Sequence, residues 1–219
     1  MNSDTVKANL QKFKENLFAK TECVFADYLH VCDFLKADQD GISLDIRNEW
    51  TIVNVSDHSI EYGAGIDIEE SDHPKFHDLC YSRDNQILWR ADGSELIKPS
   101  GRPNVIRAAG PKRTIQPGDS LRIAWSYGQS GKRSDVDVMS MGTVTSGVTV
   151  KAHFDPAVFN VSFYSLNPYT ESVSNSGRTK QWAFAPEQVF LTEQHVQIVW
   201  SVVSDSPSIE QHGNAKRLS

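Results

Sequence analysis

The chain has 219 residues, 39% hydrophobic and 23% charged, with a formal net charge of −6. That suffices for one large β domain, or a medium domain with a helical attachment. No apolar run approaches the ~18 residues expected of a membrane-spanning helix. Cys23, Cys32 and Cys80 allow at most one disulfide and leave a thiol over, which fits a reducing, cytoplasmic setting. The first ten residues lack the basic start, apolar run and small-residue cleavage site of a secretory signal, so none is expected.

In chain order, Ser3 or Asp4 can cap a helix. Val6, Leu10, Phe13, Leu17, Val24, Val31 and Phe34 follow a three-four spacing that predicts one long amphipathic helix. After the turn at Asp38-Gln39-Asp40-Gly41 the pattern alternates. Strands are predicted over 42–46, 50–55, 59–68, 79–81, 86–90, 105–108, 121–127, 135–141, 148–154, 159–166, 182–184 and 196–203. The clearest alternations are Leu121/Ile123/Trp125/Tyr127, Val148/Val150/Ala152/Phe154 and Val196/Ile198/Trp200/Val202. Residues 98–120 and 167–180 read as long loops. The expected fold is therefore α+β and mostly β. It comprises an N-terminal amphipathic helix over 1–37, an antiparallel β-sandwich or flattened barrel over 38–206, and a polar mobile tail over 207–219.

Charge is segregated along the chain. Residues 38–95 hold 14 carboxylates against 4 Lys/Arg, whereas residues 96–133 hold 8 Lys/Arg against Asp119 alone. Four prolines in the basic stretch exclude a single helical face, so its charge is expected on loops and short strands suited to anions. Arg102, Arg107, Lys112, Arg113, Lys132 and Arg133 are the candidate ligand-binding residues, with guanidinium and ammonium donors matched to phosphate or sulfate oxygens. The competing reading pairs them with the acidic segment as salt bridges.

His73, His77 and Cys80 form an H-x3-H-x2-C spacing that can offer zinc three ligands. Gly128-Gln129-Ser130-Gly131-Lys132 lacks the P-loop spacing and its following helix, and reads as a hairpin tip. No nucleophile elbow, H-E-x-x-H or dinucleotide fingerprint is present, and no cofactor is expected. Basic and aromatic residues are not interleaved as in a nucleic-acid stacking platform, so nucleic acid is not an expected partner.

Trp50-Thr51-Ile52-Val53-Asn54-Val55-Ser56, then Ile115-Gln116-Pro117-Gly118, a Gly-rich hairpin and the strands over 148–154 and 159–166 resemble actinoporin-like and aegerolysin-like β-sandwiches. The resemblance spans residues 50–166. It implies a membrane-binding sandwich preceded by an amphipathic helix, and transfers no site residue. The expected function is a non-enzymatic binding module that recognises an anionic small molecule or lipid head group at a peripheral membrane surface. The alternative is a cytoplasmic sensor or adaptor that binds a nucleotide or protein partner and forms homo-oligomers through its helix.

Overall fold

The computed structural model describes residues 21–203. The strands in chain order are β1 (Cys23–Ala37), β2 (Ile42–Asn54), β3 (Ile60–Tyr62), β4 (Gly65–Glu69), β5 (Lys75–Arg83), β6 (Gln86–Asp92), β7 (Ile97–Lys98), β8 (Val105–Ala109) and β9 (Arg113–Ile115). They continue as β10 (Ser120–Gly131), β11 (Ser134–Ser140), β12 (Thr145–Ser146), β13 (Thr149–His153), β14 (Phe159–Ser165), β15 (Thr170–Ser174), β16 (Thr179–Ala183), β17 (Val189–Phe190) and β18 (His195–Val202). Helical geometry among the described residues is confined to short 3-10 turns at Glu70–Asp72, Gly93–Leu96 and Asn175–Gly177.

The predicted N-terminal helix is therefore overturned: Cys23–Ala37 is a 15-residue strand, β1. Residues 1–20 of that helix, and the predicted tail over 207–219, lie outside the described residues. The misreading has a physical cause. Beside β2, the register of β1 slips between Ala26 and Leu29 and again between Phe34 and Lys36, and Asp27 takes a φ of 53°. Each β-bulge inserts one residue into a period of two. The core-facing set then runs Phe25, Tyr28, His30, Cys32, Phe34, Ala37, so strict alternation is lost, and of Val24, Val31 and Phe34, which carry the helical spacing in this segment, only Phe34 belongs to it. The alternation of β10, β13 and β18 has no such interruption within its buried residues.

One large sheet, in the order β15-β16-β13-β1-β2-β10-β5-β6, forms the floor of the molecule. It is mixed rather than purely antiparallel, because β1 runs parallel to β13 and β12. The two long predicted loops contain strands of this and smaller sheets. β7, β8 and β9 fall within residues 98–120 or at their edge, and β15 falls within 167–180.

Two separate covers lie on the inward face of the floor. Over one half, the sheet β11-β18-β14 packs through aromatic contacts: Phe34 lies 5.3 Å from Phe159 and 5.7 Å from Trp200, and Phe163 stacks on Trp182 at 4.9 Å and 14°. Over the other half, the small sheets β3-β9 and β4-β8-β7 contribute Ile60, Ile68, Ala108 and Ile115 to a common core with Leu79, Tyr81 and Ile123 of the floor.

A hydrogen-bonded tie holds the second cover down. The buried Ala64 N–H donates to the Tyr81 hydroxyl at 2.9 Å, and the Gly110 N–H donates to the Ala64 carbonyl at 3.0 Å. A Cβ on Gly110 would collide with that hydroxyl and come within 2.9 Å of Leu79 Cδ2. Overpacking of this kind costs about 1–3 kcal/mol. Gly110→Ala is accordingly expected to lower the urea midpoint by that free energy with an unchanged denaturant slope. An unshifted midpoint would show that the cover is not fixed at this point.

Candidate functional site

The two covers do not meet, and the gap between them is a cleft of about 980 Å³. Ile42, Ser43, Tyr127 and Gln129 belong to its floor, on β2 and β10. One wall presents Ile66, Asp67, Ile68 and Glu69, consecutive residues of β4, followed by Asp72 and His73. The opposite wall presents Asp135, Val136, Asp137 and Val138, consecutive residues of β11. Successive strand side chains point to opposite faces, so four consecutive residues line a cleft only where the strand turns its backbone edge to it. Among the described residues β4 pairs on one side alone, with β8, and β11 on one side alone, with β18.

Carboxylates dominate the lining. Asp38, Asp40, Asp67, Glu69, Asp72, Asp135 and Asp137 stand against Lys36 and Lys132. Asp67 is engaged by Arg102 and Arg107, Asp38 by Lys36 and two backbone N–H groups, and Asp137 by His30. Burial pushes the Asp72 carboxyl above its ordinary range, and the charges of Glu69 and Asp135 push it further, with Lys132 acting in the opposite sense.

A second hollow of about 280 Å³ continues from the cleft at Ile66. Its lining is aromatic: Phe25, Tyr28, Trp50, Tyr62 and Trp125. Phe25 meets Tyr62 edge-on at 6.0 Å and Tyr28 stacks near Trp50 at 6.1 Å. Trp125 is 3% exposed, and its indole N–H has no hydrogen-bond partner among the described residues.

Between the two hollows runs a line of polar side chains set into an otherwise apolar face. His30 of β1 and Asn48 of β2 are direct cross-strand partners. Asn48 Oδ1 lies 2.7 Å from His30 Nδ1 and accepts from the Tyr28 hydroxyl at 3.2 Å. On its other side His30 Nε2 lies 3.0 Å from Cys32 Sγ and 3.3 Å from Asp137 Oδ2. Burial opposes the charged form of His30, but Cys32 and Asp137 outweigh it and hold the imidazole well above its ordinary pKa. Burial pushes the Cys32 thiol up, against the pull of His30.

The residues singled out by sequence are placed as follows. Of the six basic candidates only Lys132 lines the cleft. Arg102 and Arg107 come together on Asp67, Lys112 faces Glu61 at 3.8 Å, and Arg133 donates to the Asp38 carbonyl. Arg113 sits on β9 beside Tyr62, with its Nε buried and without a hydrogen-bond partner among the described residues. Thus Arg102, Arg107 and Lys112 each meet a carboxylate of the acidic segment. His73 lines the cleft at a left-handed turn (φ 46°), His77 turns to Asp45 at 3.2 Å, and Cys80 is a half-buried free thiol on β5. Among the described residues, the one set of three or more His, Cys, Asp or Glu with ligand atoms within 4.8 Å of one another is His30, Cys32 and Asp137.

Sequence reasoning missed that set. Cys32 falls within the predicted helix, and Asp137 lies 105 positions away. The legible signal is the H-x-C spacing itself: residues i and i+2 share a face on a strand and not on a helix.

No family model and no curated protein matches the chain. Solved structures do. A protein of Parabacteroides distasonis provisionally described as a protease is 9% identical, with a TM-score of 0.52 over 83% of this chain and 40% of that one. A Legionella pneumophila protein provisionally described as nutrient-binding is 8% identical, with a TM-score of 0.53 over 83% of this chain and 68% of that one. This chain thus spans well under half the length of the first and about two thirds of the second. At these identities the likeness shows a shared β fold.

Proposed function

We propose that the chain is a non-enzymatic binding module that takes up an extended, basic peptide segment in the cleft. The observation that carries this reading is the pair of strand edges, β4 and β11, unpaired among the described residues and facing each other across an acidic gap. An extended chain laid along either edge completes a ladder with its backbone N–H and C=O groups, and alternate side chains then reach the two walls. Glu69, Asp72 and Asp135, which form no ion pair among the described residues, supply the attraction for Lys or Arg. The adjoining aromatic hollow suits one cationic side chain over its ring faces. The description of the Legionella neighbour as nutrient-binding agrees with a binding role. An anionic ligand has less support, since Arg102, Arg107 and Lys112 already face carboxylates.

Two outcomes are expected. An extended Lys/Arg-rich peptide should bind by calorimetry with an affinity that falls as salt rises, because the walls are only partly shielded from solvent. The variant Glu69→Gln/Asp72→Asn/Asp135→Asn should weaken binding about 10- to 100-fold, or ~1.4–2.8 kcal/mol. Proline in place of alternate peptide residues should do the same by removing N–H donors. Equal binding of an acidic peptide, or indifference to salt, would refute the reading.

The second outcome concerns pH. The folded-state pKa of Asp72 is raised, so its ionisation costs stability, and the cost grows as pH rises through that pKa. Asp72→Asn should therefore raise the melting temperature at neutral pH. The gain should vanish in acid, below the ordinary carboxylate pKa of about 4, where Asp72 is neutral in both folded and unfolded chains. A gain that persists in acid would assign the effect to packing instead.

A further inference from the structure

We propose that His30 Nε2, Cys32 Sγ and Asp137 Oδ2 bind one Zn²⁺ ion, with the fourth coordination position open to the cleft.

The first argument is geometric. Zinc bonds of about 2.3 Å to sulfur and 2.0–2.2 Å to nitrogen and oxygen, at tetrahedral angles, place ligand atoms about 3.4–3.6 Å apart. Here the three separations are 3.0 Å from nitrogen to sulfur, 3.3 Å from nitrogen to oxygen and 3.9 Å from sulfur to oxygen. Rotations of a few tenths of an ångström bring each onto a common centre.

The second argument is chemical. With Asn48 Oδ1 at 2.7 Å, His30 Nδ1 carries a proton, so Nε2 is the nitrogen that faces the carboxylate oxygen and the sulfur, and loss of its own proton frees a lone pair aimed at both. Without metal, a proton on Nε2 supplies the positive charge between these atoms, and a divalent cation can replace it. Imidazole, thiolate and carboxylate together match zinc, which is borderline-soft. The Nδ1–H to Asn48 bond, itself braced by the Tyr28 hydroxyl, is the outer-shell support that fixes a metal-binding imidazole in its tautomer. On binding, Zn²⁺ displaces the Cys32 thiol proton and the His30 Nε2 proton to solvent and forms bonds to the thiolate and to the freed imidazole nitrogen; no oxidation or reduction takes place.

The third argument is placement. His30 and Cys32 are two residues apart on the floor strand β1, and both are buried. Asp137 comes from β11 of a different sheet, and its side chain remains 23% exposed at the cleft. Zinc therefore has an entry from the cleft, pins the β11 wall to the floor, and leaves one position for water or for a donor on whatever the cleft holds. The site stands independently of the peptide reading.

The test uses full-length protein stripped with a chelator and titrated with Co²⁺, then Zn²⁺. One equivalent of Co²⁺ should give tetrahedral ligand-field bands and a thiolate-to-cobalt charge-transfer band, and Zn²⁺ should displace it. Cys32→Ser should abolish the charge-transfer band, whereas Cys80→Ser, His73→Ala and His77→Ala should keep it. Asp137→Asn, a partly exposed and isosteric change, should weaken binding at least ~10-fold while leaving the far-ultraviolet spectrum unchanged. Asn48→Ala should weaken binding about 10- to 100-fold. Absence of the charge-transfer band in the parent protein, its survival in Cys32→Ser, or its loss in Cys80→Ser would overturn the assignment. Undiminished affinity in Asp137→Asn would do so as well.

Discussion

Phe34 packs against Phe159 and Trp200 at one side of the floor sheet, while Tyr81, three strands along the order, is tied to Ala64 at the other. The apolar face between these anchors must be shielded from water, and two separate covers do so. A large sheet twists, so a single flat cover would not follow it across its full width. Splitting the cover leaves a seam. The cleft, the edges of β4 and β11 that line it and the buried His30 set all lie along that seam, and each owes its existence to the division.

The charge segregation of the chain takes on a different meaning in three dimensions. In sequence, the acidic 38–95 segment and the basic 96–133 segment resemble two separate surfaces. In space β4 and β8 are neighbours, so Arg107 lies opposite Asp67 in the ladder and Arg102 reaches the same carboxylate. Likewise Arg122 of β10 meets Glu49 of β2 at 2.6 Å. Exposed pairs of this kind each contribute about 0–1 kcal/mol, so they match the two segments more than they stabilise them. What survives the matching is the acidity of the cleft, where Asp72 and Asp135 have Lys132 as their nearby cation.

The segments behind the actinoporin-like resemblance show why short motifs carry little about function. Asn54, at the end of the Trp50–Ser56 stretch, donates its side-chain amide to the carbonyls of His58 and Ile115, and its backbone carbonyl accepts from the Gly118 N–H. The two quoted motifs are thus the halves of one internal corner. Any β protein that joins strand ends through a buried asparagine would retain similar residues for structural reasons. Their pairing was invisible as such because the halves lie 61 residues apart.

By itself the sequence determined that the chain is β-rich: alternation in β10, β13 and β18 follows from a period of two that no other regular structure satisfies. It also determined that residues 38–95 and 96–133 carry opposite charge. It did not reveal β1, because two bulges broke the period of two. Nor did it reveal the candidate sites. His30 and Cys32 are neighbours through strand geometry, whereas Asp137 and the edges of β4 and β11 reach the same seam only when separate sheets dock on the floor. Local patterning fixes which way a side chain points, and only packing between sheets decides what it meets.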